Sequence, residues 1–126
     1  MTPCPFCNPD PSRTILTNAH ALAISDAYPV TPGHTLIIPK RHVTSFFETT
    51  REEQTAMLDL LDKTRLLLLD ERKPDGFNIG INDGTAAGQT VMHLHIHLIP
   101  RYQGDMPDPR GGVRWIFPDK AAYWNK

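Results

Sequence analysis

The sequence predicts an α+β domain: an antiparallel sheet of about five strands, one long helix and one short helix. Two observations predict it. Short stretches with β-type alternation come as three strands, then a helix, then two strands, an order that lays an antiparallel sheet against a helix. A single stretch, starting at Thr50 and ending near Lys73, carries helical periodicity for several turns. With 126 residues and no internal repeat, residues 1–126 form one domain, which buries about two thirds of its unfolded surface.

Each element has a local cause. Ile15-Leu16 and Ala21–Ser25 read as a hairpin about Asn18-Ala19-His20, and Pro29, Pro32 and Gly33 as a loop. Thr35-Leu36-Ile37-Ile38 reads as a buried strand stopped by Pro39, and Val43, Phe46 and Phe47 as a short helical turn covering the core. Thr50-Arg51-Glu52-Glu53 has the capping-box spacing, with Glu53 reaching back to the cap. Met57, Leu60, Leu61, Thr64 and Leu68 then form a core stripe. Leu58, Leu66, Leu67 and Leu69 widen that stripe toward either a subunit contact or a thicker core. Pro74 and Gly76 end the helix. Phe77, Ile79 and Ile81 alternate inward against Asn78, Gly80 and Asn82 outward.

The last strand concentrates the chemistry. In His93-Leu94-His95-Ile96-His97-Leu98-Ile99, period two puts three imidazoles on one face and an apolar row on the other. The apolar row serves the core. A polar face alone would accept any polar residue, so three histidines point to a site. A neutral imidazole is a suitable nucleophile toward phosphorus, because near pH 7 it needs no deprotonation and splits one displacement into two. Cys4-Pro5-Phe6-Cys7 supplies two thiolates at zinc spacing; the plain alternative is two reduced thiols in a Pro-rich start.

The His–apolar–His–apolar–His–apolar–apolar run fully matches the signature of the histidine triad (HIT) family, which this chain resembles over about residues 4–101. Gly33-His34-Thr35-Leu36-Ile37-Ile38-Pro39-Lys40-Arg41-His42 looks like its first-half motif, Asn82 through Thr90 like its nucleotide-binding loop, and Asp26 stands where its ribose-binding acid belongs. The resemblance implies hydrolysis or transfer of nucleoside phosphates through a nucleotidyl-histidine intermediate. His95 is then the nucleophile, with His97, His34 and Thr90 as the other catalytic residues. Asp26, Asn82, Gly88, Gln89, Thr90 and His97 are expected to bind the nucleotide, Gln89 and Thr90 gripping phosphate with the backbone amides of Gly88 to Val91. Ile24 and Ala27 are candidates for the base pocket. Without the resemblance, the plain alternative for His34 is a satisfied polar residue beside Gly33.

Some branches of the family complete a zinc site with two histidines, which here are His42 and His93 beside Cys4 and Cys7. Structural zinc is the expected cofactor, with no organic one. The competing reading makes His93, His95 and His97 a catalytic metal site. Against it, Glu is sparse outside the helix and Gly88-Gln89-Thr90 reads as a phosphate grip. Pro100-Arg101 and Ala87-Gly88-Gln89-Thr90 look like the dinucleoside polyphosphate hydrolase branch, while Asn82 looks like the phosphoramidase branch. The uridylyltransferase branch is longer and carries glutamine where His97 stands. A non-catalytic nucleotide-binding signalling module is the non-enzymatic alternative.

Partners and place follow from composition. A net charge of −1, without runs of one sign, argues against a nucleic-acid footprint. No stretch resembles a signal peptide or membrane span, so a cytoplasmic protein with no membrane partner is expected. Residues 102–126 form a loop and arm. There Arg110 and Arg114 are either phosphate contacts or solvated loop residues, and Val113–Phe117 is a strand or extended arm ended by Pro118. Tyr123 and Trp124 are expected to dock on the neighbour in a homodimer, as triad proteins pair.

Overall fold

The computed structural model describes residues 4–125. Five strands, β1 (Thr14–Thr17), β2 (Ala21–Ser25), β3 (Thr35–Pro39), β4 (Gly76–Ile81) and β5 (Ile96–Arg101), form one sheet in the order β1-β2-β3-β5-β4. Every neighbouring pair is antiparallel. Helix α1 (Arg51–Arg72) joins β3 to β4, and β5 inserts between those two strands. That insertion sets His97 between Leu36 of β3 and Gly80 of β4, in the middle of the sheet.

Local chemistry explains the joints. Asn18 closes the β1–β2 hairpin by accepting from the His20 and Ala21 amides with its side chain. Helix α1 starts at the expected capping box, Thr50 accepting from Glu53 N–H and Glu53 accepting from Thr50 N–H. A second box, Ser45 with Glu48, opens the short turn Phe46–Glu48. The helix stops at Lys73, whose φ of 50° places it in the left-handed region before Pro74. Met57, Leu60, Thr64 and Leu68 are buried as expected. Met57 and Leu60 pack with Ala21, Ala23, Ile37, Leu94 and Ile96.

Four expectations fail for identifiable reasons. The His-rich strand begins only at Ile96, because the Leu94 amide is drawn to the Val43 carbonyl instead of a ladder partner. Ile79 is 46% exposed, since β4 is an edge strand and α1 packs over β1, β2, β3 and β5. Phe46 meets the core but Phe47 is 83% exposed; adjacent residues of a single helical turn cannot share a face. Gly111 and Gly112, both at positive φ, curl 112–116 into a 3₁₀ turn, so Val113–Phe117 is no strand, and Pro118 begins the four-residue helix α2 (Pro118–Ala121).

Candidate functional site

Among the described residues, Cys4, Cys7, His42 and His93 place one ligand atom each within 4.8 Å of one another. His42 follows β3, and its neighbour Arg41 grips Glu53 of α1 with two guanidinium nitrogens. That pair, together with the helix-cap amide, holds the buried Glu53 carboxyl down to about 2 and pins the segment carrying His42. His93 donates from Nε2 to the Pro39 carbonyl at 2.8 Å. The Nδ1 lone pair is therefore left for the sulfurs, at 3.5 Å from Cys4 and 3.6 Å from Cys7. Zn–S near 2.3 Å and Zn–N near 2.0 Å at the tetrahedral angle require S···N of about 3.6 Å. The donor set and its spacing fit zinc.

The turn that brings these thiols needs such an anchor. Among the described residues, its backbone makes one hydrogen bond between 4 and 9, from Cys7 N–H to the Cys4 carbonyl, within the turn itself. Phe6 packs on Ile24, Leu36 and Ile38. Burying one phenylalanine contributes about 1.5–3 kcal/mol. Ordering the backbone costs roughly 1–2 kcal/mol per residue, so Phe6 alone does not hold the turn down.

On the other side of His95 the hydrogen bonds force the proton positions. Val30 N–H donates to His34 Nδ1 at 3.1 Å, so that nitrogen is an acceptor and the His34 proton sits on Nε2. His34 Nε2 then donates to His97 Nδ1 at 3.0 Å, with Asp26 Oδ2 at 3.4 Å beside the same proton. His97 must therefore carry its proton on Nε2. Burial keeps His34 below its ordinary value, against the pull of Asp26. Burial and then the neighbouring His95 and His34 push His97 down to about 4. His95 donates from Nδ1 to the His93 carbonyl at 2.9 Å, leaving the Nε2 lone pair to the cavity.

That cavity, of ≈ 310 Å³, has His95, His97, Asp26, Asn82, Gly88 and Thr90 in its wall. Phe6, Arg13, Ala27, Tyr28 and Leu36 line it as well. A second hollow of ≈ 250 Å³ shares His97 and Asn82 and continues along Ile79, Ile99 and Val113. Seven of the expected residues thus converge: Asp26, His34, Asn82, Gly88, Thr90, His95 and His97.

The loop behaves differently from expectation at Gln89. Its side chain is buried, accepting from Gly84 N–H and donating to the Thr44 and Val91 carbonyls, so neither amide hydrogen remains for a phosphate. The Gly88 and Gln89 amides bond to Thr85 and Gly84. Those of Thr90 and Val91 have no protein acceptor among the described residues. Asp83 ties the same loop to Ser45 and Phe46 N–H. Ile24 is fully buried with Phe6 behind the cavity, whereas Leu36 lines it.

Sequence reasoning also missed Phe6, Tyr28 and the Val30 amide. Only Phe6 carried a signal, by sitting between two ligand cysteines. In the arm, the Arg110 guanidinium lies 4.5 Å over Trp124 and pairs with Asp108, and Arg114 lies 4.7 Å over Tyr123. Neither arginine reaches the cavity, and both aromatics have partners within the chain.

A small antiparallel α+β domain with a row of tautomer-locked imidazoles at a polar cavity, beside a Cys₂His₂ group, is the class of protein defined here. The HIT domain model matches residues 8–104. A HIT-like protein of Mycoplasma genitalium is 44% identical over 92 residues, 73% of this chain and 65% of its own length, so the chain spans just under two thirds of it. A zinc-bound histidine triad family protein from Mycobacterium smegmatis is 37% identical and superposes with a TM-score of 0.73, over 83% of this chain and 84% of that one. An AP-4-A phosphorylase of Mycobacterium tuberculosis is 36% identical over 84 residues, 66% of this chain and 43% of its own. This chain belongs to the HIT domain family, whose members bind nucleotides and hydrolyse or transfer nucleoside phosphates. Among the described residues, no helix is long and apolar enough to cross a membrane.

Proposed function

We propose that the protein is a hydrolase that cleaves dinucleoside polyphosphates, or related nucleotidyl substrates, at the α-phosphate. The observation that carries this reading is the His95 Nδ1–His93 carbonyl bond, which leaves the Nε2 lone pair to the cavity. In the first displacement, Nε2 bonds to the α-phosphorus as the bond to the leaving group breaks, and the electron pair departs with that group. The His93 carbonyl then faces the imidazolium that forms and stabilises its charge. His97 Nε2–H and the Thr90 hydroxyl supply donors to the phosphate oxygens and a proton to the leaving group. Water attacks the nucleotidyl-histidine in the second displacement and restores His95.

The remaining residues position the substrate. In this reading Asp26 accepts from ribose hydroxyls, Asn82 holds sugar or phosphate, and the Thr90 and Val91 amides meet phosphate oxygens. Gly88 and Gln89 shape the loop rather than touch the ligand. Two hollows meeting at His97 and Asn82 favour a substrate with a nucleotide on each side of the scissile bond. The similarity to an AP-4-A phosphorylase supports the same substrate class. Asn82 keeps an adenosine phosphoramidase as the second reading. Cys4, Cys7, His42 and His93 would hold zinc, which supplies a structural tie there rather than a reacting group.

The test is a panel of diadenosine polyphosphates and adenosine phosphoramidates on wild type beside His95→Asn. Turnover by wild type and its loss in the variant, with AMP binding retained, supports the reading. Absence of turnover on any nucleotidyl substrate would leave a binding module.

A further inference from the structure

We infer that metal occupancy of the Cys4/Cys7/His42/His93 group regulates nucleoside affinity, with Phe6 as the positioning residue that transmits it. This rests on the nucleotide-site reading above. One four-residue turn serves two sites. Its outer residues, Cys4 and Cys7, are half of the ligand group. Its inner residues, Pro5 and Phe6, are wall of the cavity. The Phe6 ring is 8% exposed and stands edge-on to His95, with ring centroids 5.0 Å apart, and to His93 at 6.1 Å.

Among the described residues, no backbone hydrogen bond ties residues 4–7 to the sheet. The turn's backbone hydrogen bond is internal, and one buried aromatic does not offset the entropy of ordering the segment. Its thiols lie against each other and reach His42 and His93 at 3.1 to 3.6 Å. Without a cation the thiols offer these imidazoles only weak S–H hydrogen bonds, whereas a bound cation ties all four side chains to one point. A second link runs through the backbone: His93 is a ligand, and its carbonyl accepts the His95 Nδ1–H. Loss of metal therefore loosens a cavity wall and the acceptor that orients the nucleophile. Sites coupled in this way are coupled reciprocally.

The experiment measures AMP binding by calorimetry on the full chain, zinc-loaded and after dialysis against a chelator, with circular dichroism reporting the fold. Removing zinc is expected to weaken AMP on the order of tenfold, and saturating AMP to tighten zinc by the same factor. Phe6→Ala is expected to bind one zinc per chain, bind AMP weakly with or without it, and show no reciprocal tightening. Should the metal-free protein unfold, zinc-loaded Phe6→Ala beside Phe6→Leu decides. Weakened AMP with zinc retained supports the inference, and unchanged AMP overturns it. Equal AMP affinity in folded zinc-loaded and zinc-free wild type also overturns it, as does failure to bind zinc. Zinc-loaded wild type that binds no AMP removes the nucleotide-site reading itself, a distinct failure.

Discussion

Two clusters built around histidine pairs lie on either side of His95. Cys4, Cys7, His42 and His93 form one; Asp26, His34 and His97 form the other, and each has its ligand atoms close enough for a cation. Their backbone partners separate them. In the first, Pro39 takes the His93 Nε2 proton and turns a lone pair toward the sulfurs. In the second, the Val30 amide occupies the His34 lone pair, and the remaining proton is shared between His97 and Asp26. One group is open to a metal and the other is already satisfied. What an imidazole does is decided by whichever backbone group claims its far nitrogen.

The sharpest break of this comparison is at the residue between the clusters. His95→Asn should lower turnover by ~10⁴-fold or more while leaving AMP affinity within a few-fold, read by steady-state kinetics and calorimetry. Metal analysis should find one zinc per chain, lost in His93→Ala and kept in His34→Ala. Equal loss in both variants would erase the distinction.

The acid side of the second cluster gives a smaller effect. An unfolded imidazole takes a proton below its ordinary value of 6.5, while folded His97 refuses one until about 4. Unfolding thus takes up a proton in that window. Stability is flat on this account above about 6.5 and falls as pH drops from 6.5 toward 4. Thermal melts should show this slope flattening in His97→Asn. On the first cluster's side, Arg41→Ala strands the buried Glu53 carboxylate and loosens the segment of His42. It should lower the midpoint of denaturant melts, by less than the loss of a fully buried pair because Arg41 is half exposed. The smallest effect concerns assembly. Leu58 and Leu66 remain exposed on α1 instead of thickening the core, so we expect a second copy of the chain to pair on that face. Leu66→Glu should shift sedimentation from dimer to monomer with little change in melting temperature.

Much of this was legible because it depends on local periodicity. The Thr50–Glu53 box and the Met57, Leu60, Thr64, Leu68 stripe follow from helical geometry alone. Cys4 and Cys7 with His42 and His93 emerged through motif resemblance, and the structure brings them together. Gln89 was misread because its type suits a phosphate equally well. Only the folded loop reveals Gly84, Thr44 and Val91 around its amide. Ile79 was misread because alternation reports a face and not whether a helix lies over it. The arm was misread because Gly111 and Gly112 admit conformations that a weak alternation cannot distinguish.

By itself the sequence determined the elements, the apolar faces and the inventory of imidazoles and thiols, since side-chain direction within a strand or helix is a short-range property of the backbone. Tertiary structure alone decided which nitrogen of each histidine bears the proton and which cysteine faces which ring. It also decided that Phe6 is shared between two sites. Those outcomes depend on carbonyls and amides brought from distant segments, and no local pattern encodes where a distant carbonyl arrives.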